Sequence, residues 1–115
     1  MPTDFHDREQ AFEAKFAHDE EFRFLTLARR DKLFARWTSN KLRLSDAAAE
    51  VLVKDVLSIP NGPAHDQALL WHIEGFLSAR GAGTSEADLS AALAGCMQQA
   101  LQQLTEKPPD YSEVI

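Results

Sequence analysis

Residues 4–42 read DFHDREQAFEAKFAHDEEFRFLTLARRDKLFARWTSNKL, without a glycine or a proline and rich in Ala, Glu, Lys, Arg and Phe. An unbroken stretch of good helix formers predicts one long helix. Its apolar residues divide it in two. Phe5, Phe12 and Phe16 stand at i, i+7 and i+11, within ~40° of one another on a helical face. The stripe then fails from Ala17 to Glu21, where no large apolar group occurs. A second stripe begins with Phe22, Leu25, Leu33 and Trp37, with the stem of Arg29 between them, while Phe24, Leu27 and Phe34 lie off that line. The pattern reads as a narrow-faced front and a wide-faced rear that belongs to the core.

Three shorter helices follow from the breakers. Ser45 before Asp46 is a good N-cap with an acid in the first turn, and Ala48, Val51, Leu52, Val56 and Ile59 mark the buried side of the helix it opens. Pro60-Asn-Gly-Pro63 ends that helix and starts the next, since proline is tolerated in a first turn and excluded from an interior. The third helix carries Leu69, Leu70, Ile73, Phe76 and Leu77 and stops at Gly81-Ala-Gly83. Thr84 or Ser85 caps the fourth, with Asp88 three residues after Ser85 in the manner of a capping box. Its apolar face is Leu89, Leu93, Cys96, Met97, Ala100 and Leu104. Strand-like alternation is missing throughout. The fold class is therefore all-α, a four-helix bundle with a long N-terminal helix, divided into an N-terminal segment 1–18, a bundle 19–105 and a loose tail 106–115 that contains Pro108-Pro109.

A chain of 115 residues, 44% hydrophobic, is one domain able to bury a core of three or four helices. Its formal net charge of -6 and pI near 5.1 speak against duplex nucleic acid and against anionic membrane surfaces. The charge is uneven: residues 1–22 carry a net of -5, residues 23–43 a net of +6, and the rest a net of -7. This is either the ordinary solvation of long helices or a sign that two oppositely charged segments do different work. A single cysteine, Cys96, forms no internal disulfide. The acidic start lacks the pattern of a signal peptide, and no stretch approaches the ~20 apolar residues of a spanning helix. The expectation is a soluble cytoplasmic protein that does not insert into a membrane.

Catalytic chemistry finds little footing. His6, His18, His65 and His72 form no i, i+4 pair beside a carboxylate cluster, so they are expected to be solvated, and no metal site is expected. Cys96 sits on an apolar face and reads as a core thiol. Asn61-Gly62 and Gly81-Ala-Gly83 match neither a P-loop nor a dinucleotide fingerprint. The densest positive cluster, Arg29, Arg30, Lys32 and Arg36, offers either a phosphate-binding patch or an exposed basic face that complements nearby acids. The Phe5, Phe12, Phe16 stripe is the other feature with two readings: core packing, or a terminal amphipathic helix whose aromatic anchors enter a partner's groove. Its separation from the rear stripe and its terminal place favour the second.

The run from Phe5 to Phe24, FHDREQAFEAKFAHDEEFRF, continued by Ala28-Arg-Arg-Asp-Lys-Leu33 and Trp37, resembles the ζ subunit family of alphaproteobacterial F-type ATP synthases. Lys41-Leu-Arg-Leu-Ser45 and Ala47-Ala-Ala-Glu50 extend the likeness, which is dense over residues 4–56. The sequence departs from the pattern at Phe24-Leu-Thr-Leu27, which replaces a more polar stretch. It departs again at Asp31, where Asn is usual, and at Ser58 to Asp66, which replaces a longer acidic loop. The resemblance implies a four-helix fold whose first part is mobile on its own and becomes helical when wedged into the catalytic head of the ATP synthase, blocking rotation in the hydrolytic direction. Within Asp4 to about Asp19 the implied partner contacts are Phe5, Arg8, Phe12, Lys15 and Phe16. The family is also associated with adenine nucleotide, for which Arg29, Arg30, Lys32 and Arg36 are the only candidates the residues suggest; no other cofactor is expected. The function so implied is a non-enzymatic inhibitor of ATP hydrolysis, a monomer, cytoplasmic and peripheral at the inner membrane through the synthase. The alternative is a bundle that binds another helical partner or adenine nucleotide, with Phe22, Phe24, Leu25 and Leu27 as a docking face. A small metal- or thiol-dependent enzyme is a third class.

Overall fold

The computed structural model describes the backbone of residues 5–107 and the side chains of residues 19–107. Four helices follow one another: α1 (Phe5–Leu42), α2 (Asp46–Leu57), α3 (His65–Ser78) and α4 (Glu86–Glu106). The molecule is an all-α four-helix bundle, and no strand occurs among the described residues. Most of the tail expected to be loose, from Pro108 on, lies outside the described residues, as do residues 1–4.

The helix ends are set by local chemistry. Ser45 and Ser85 are extended residues whose hydroxyls accept from the amides of Ala48 and Asp88, capping α2 and α4. These bonds occupy donors that a first helical turn leaves without partners. Helix α1 ends with Arg43 in the left-handed region at φ +55. The Arg43 amide donates to the Asn40 carbonyl and the Leu44 amide to the Ser39 carbonyl, the paired bonds of a Schellman ending. Helix α3 ends the same way: Gly81, at φ +73, donates to Ser78, and Ala82 donates to Leu77. Glycine takes that conformation without strain; arginine does not.

Helix α1 is the axis of the bundle and packs along α2 and α4. The core joins Phe34 and Ala35 of α1 to Leu52, Val53 and Val56 of α2, to Leu69, Ile73 and Leu77 of α3, and to Leu89, Leu93 and Cys96 of α4. Phe34 stacks on the half-buried Trp37 at 5.7 Å between ring centres, and the Lys41 ammonium stands over the Trp37 ring. The expected faces of α3 and α4 are the observed ones, save that Leu70, Phe76 and Met97 are half-buried.

Two expected faces need correction. The buried line of α1 is Thr26, Arg30, Phe34, Thr38, flanked by Asp31, Ala35 and Ser39. It lies one residue on from the expected Leu25, Arg29, Leu33, Trp37 line, about 100° round the helix. Those three apolar residues are half-buried shoulders, and Arg29 is exposed. The polar line can go inside because its hydroxyls are satisfied within the helix. Thr26 donates to the Phe22 carbonyl, Thr38 to Phe34 and Ser39 to Ala35, so each behaves as a small apolar residue. On α2, Val53 is buried and Val51 is 60% exposed. Apolar residues cover so wide an arc of that helix that hydrophobicity alone does not choose which edge meets α1.

Candidate functional site

Where α1 passes the connection between α2 and α3, four ionisable side chains meet. Arg30 and Asp31 are both buried, and the Arg30 Nε donates to Asp31 Oδ1 at 2.9 Å. The Arg30 fork turns the other way onto Asp66, with Nη2 to Oδ1 at 2.7 Å and Nη1 to Oδ2 at 3.3 Å. His65 completes the group: its Nε2 is 2.6 Å from Asp31 Oδ2 and its Nδ1 is 3.0 Å from the Pro60 carbonyl. The Pro60–Pro63 segment folds back far enough to lay the first residues of α3 over α1. His65 Nε2 therefore sits in a side chain only 10% exposed. The expectation of a solvated His65 is overturned by this fold-back, which sequence spacing does not reveal; His72, by contrast, is exposed.

Burying charge is costly unless partners compensate it, and the site does so in full. Burial pulls the Arg30 guanidinium down, but hydrogen bonds and charge from Asp66 and Asp31 outweigh it and hold its pKa above the ordinary value. The Arg30 hydrogen bond holds Asp66 below its usual range despite partial burial. His65 is pulled down by burial and pushed up more strongly by the Asp31 hydrogen bond, the Pro60 carbonyl and the charge of Asp31. Cys96 of α4 is raised by burial, with the Arg30 charge acting the other way, so it is a neutral thiol at neutral pH.

A cleft of about 560 Å³ opens beside the network. One wall is α1, with Glu20, Arg23, Phe24 and Leu27; the other is Asn61, Gly62 and Pro63 with His65 and Asp66. Phe24 is 53% exposed there, and Phe22, Leu25 and Leu27 are half-buried.

The four basic candidates divide between the network and the grooves along α1. Arg30 is committed inside the network. Arg36 pairs with Glu50 at 3.6 Å across exposed surface and borders a second groove with Trp37 and Gln99. Arg29 and Lys32 share a small groove with Leu25, Leu57 and Leu104, and Arg29 donates to Gln103 at 3.2 Å. The side chains of Phe5, Arg8, Phe12, Lys15 and Phe16 lie outside the described residues. Cys96 is buried, as a core thiol should be. Among the described residues no three His, Cys, Asp or Glu converge as metal ligands, and no helix is long and apolar enough to cross a membrane. Sequence reasoning missed the Asp31–His65 pair; its one signal was Asp31 itself, the single acid among the seven bases of residues 23–43.

The family model for the ATPase inhibitor subunit zeta covers residues 1–103. No curated protein and no solved structure matches the chain.

Proposed function

We propose, from the premise that this chain belongs to the ATPase inhibitor subunit zeta family, that it inhibits ATP hydrolysis by the F-type ATP synthase by inserting its N-terminal helix at a catalytic interface. In this reading residues 1–18 are the inhibitory segment, residues 19–105 the bundle that carries it, and residues 106–115 a tail without a part in inhibition. The protein acts as a monomer, without catalysis of its own, in the cytoplasm at the membrane-bound synthase. Phe5, Phe12 and Phe16 supply the apolar stripe that fills pockets on the catalytic head; Arg8 and Lys15 supply charge contacts beside it.

The observation that carries the reading is the family match over the whole front of α1. Among the described side chains of α1, Asp19 and Glu20 are exposed, Glu21 and Phe22 are half-buried, and the first buried one is Thr26. The backbone is nevertheless helical from Phe5, and the family match includes the whole front. A long helical front on a chain of this family suits insertion into a groove. Residues 1–22 also carry most of the acid in α1, ahead of its basic stretch, which favours orientation of the encounter through long-range charge.

ATP hydrolysis by the cognate synthase, measured with and without the purified protein, tests this. The full chain should abolish turnover stoichiometrically. A chain beginning at Asp19 should keep its helical signal per residue and nearly all of its thermal stability, and lose inhibition. Phe12→Ala and Phe16→Ala should each weaken inhibition by about 2–4 kcal/mol, the range for buried anchors. Unimpaired inhibition by the shortened chain would defeat the reading.

A further inference from the structure

We propose that His65 and Asp31 form a proton-operated clasp that holds the 58–64 connection against α1, fastened when the imidazole is protonated and loosened when it is not. The argument is one of hydrogen-bond valence. The Pro60 carbonyl can only accept, so the Nδ1 that faces it at 3.0 Å must carry a proton. Asp31 Oδ1 accepts from the Arg30 Nε, and an ionised carboxylate has acceptors only, so Oδ2 accepts as well and Nε2 must carry a proton too. Only the imidazolium donates from both nitrogens. Neutral imidazole has one N–H and must give up one of the two bonds, either the tie to α1 or the tie to the connection.

Charge balance points the same way. Arg30, Asp31, His65 and Asp66 sum to zero with His65 protonated and leave one negative charge in a half-buried site without it. The other groups around the ring do not replace the missing proton. Glu20 and Arg23 of α1 line the same cleft with opposite signs. The last turn of α2 carries Lys54 and Asp55, both exposed, and the 58–64 connection has no ionisable side chain. From α4, Cys96 is buried and neutral behind Arg30. Burial depresses the imidazolium, while the Asp31 and Pro60 bonds together favour it more, so its midpoint stands above 6.5. The clasp lies at Asp31, on the core side of the cleft that Glu20, Arg23, Phe24 and Leu27 of α1 line. Acidification therefore stiffens the bundle that carries the segment proposed to insert; this last consequence rests on the function proposed above, the clasp itself does not.

Titration of the full chain from about pH 5 to about pH 9, followed by NMR, reads the clasp directly. The His65 ring signals and the Asn61 and Gly62 amides should shift together with one midpoint, above 6.5. The Ile59 and His65 amides, which bond to Val56 and Gly62, should exchange about tenfold more slowly below that midpoint than above it, after correction for intrinsic rates. That factor is the size of one charge-assisted hydrogen bond. Asp31→Asn, an isostere without the charge, should move the midpoint to lower pH, and His65→Gln should remove the pH response of Asn61 and Gly62. Circular dichroism establishes that each variant is folded, and the unsubstituted chain is a test without either. A His65 midpoint at or below 6.5, connection amides indifferent to it, or a midpoint unmoved in folded Asp31→Asn would each overturn the proposal. None of these readouts depends on inhibition, so failure of the clasp and failure of the inhibitor reading are separable.

Discussion

Arg30 shows how one residue can decide what a helix face is for. A buried guanidinium is tolerated because it reaches three acceptor atoms, Oδ1 of Asp31 and both oxygens of Asp66, and breaking such a pair by removing one partner typically costs about 3–5 kcal/mol. It is therefore better placed to organise the fold than to receive a phosphate, which would have to compete with two carboxylates already in contact. Arg43 makes the opposite point, since it is in a conformation that its own side chain opposes. At φ +55 a residue with a Cβ carries a strain that glycine does not, and Arg43 is exposed and makes no side-chain hydrogen bond or ion pair among the described residues. Arg43→Gly should stabilise the protein by roughly 0.5–1 kcal/mol, the relief of strain less the added freedom of glycine in the unfolded chain. A higher urea midpoint at unchanged slope is the expected result; a lower one would mean that the Arg43 stem contributes packing that outweighs the strain.

At the scale of elements, the choice of buried face on α1 has a measurable consequence. Phe34 is fully buried and Phe24 is 53% exposed, although both lay off the stripe expected from sequence. Phe34→Ala should cost about 3–5 kcal/mol by cavity formation, while Phe24→Ala should stay within about 0.5 kcal/mol; equal losses in denaturant unfolding would contradict the observed face. The four helices, both serine caps and the proline and glycine stops could be read from the sequence because each depends on residues a few positions apart. The inner faces of α3 and α4 were also legible, since each has a single apolar stripe. The face of α1 was not. Thr26, Thr38 and Ser39 look polar in a sequence, yet their hydroxyls bond to carbonyls four residues back and cost little to bury. The charged site was hidden for a different reason. Asp31 and His65 are brought together only by the turn through Pro60–Pro63, a contact across 34 residues that no local pattern encodes, and Asp66 joins them from the exposed edge of α3.

For the whole molecule, the network predicts a stability profile with two limbs of different origin. Asp66 has its folded pKa depressed below 3.8, chiefly by the Arg30 hydrogen bond. Its folded state therefore binds the proton less readily than its unfolded state, so its contribution is complete above about 3.8 and disappears as pH falls through the lower folded value. Asp66 has a side chain 61% exposed, so solvent screens this limb and it should be shallow. His65 has its folded pKa raised above 6.5; folding takes up a proton there. Its contribution is complete below 6.5 and is lost as pH rises through the folded value, which makes the alkaline limb start near neutrality, well before lysines titrate. Melting temperature measured against pH should accordingly rise out of strong acid, hold a plateau, and begin to decline near neutral pH. The variants separate the two limbs. Asp66→Asn should flatten the acid side and leave the neutral decline in place, whereas His65→Gln should remove the neutral decline and make the acid side only slightly shallower, since the His65 charge is the least of the causes that depress Asp66. A decline near neutrality that survives in folded His65→Gln would assign it to another group and detach the stability of the bundle from the imidazole.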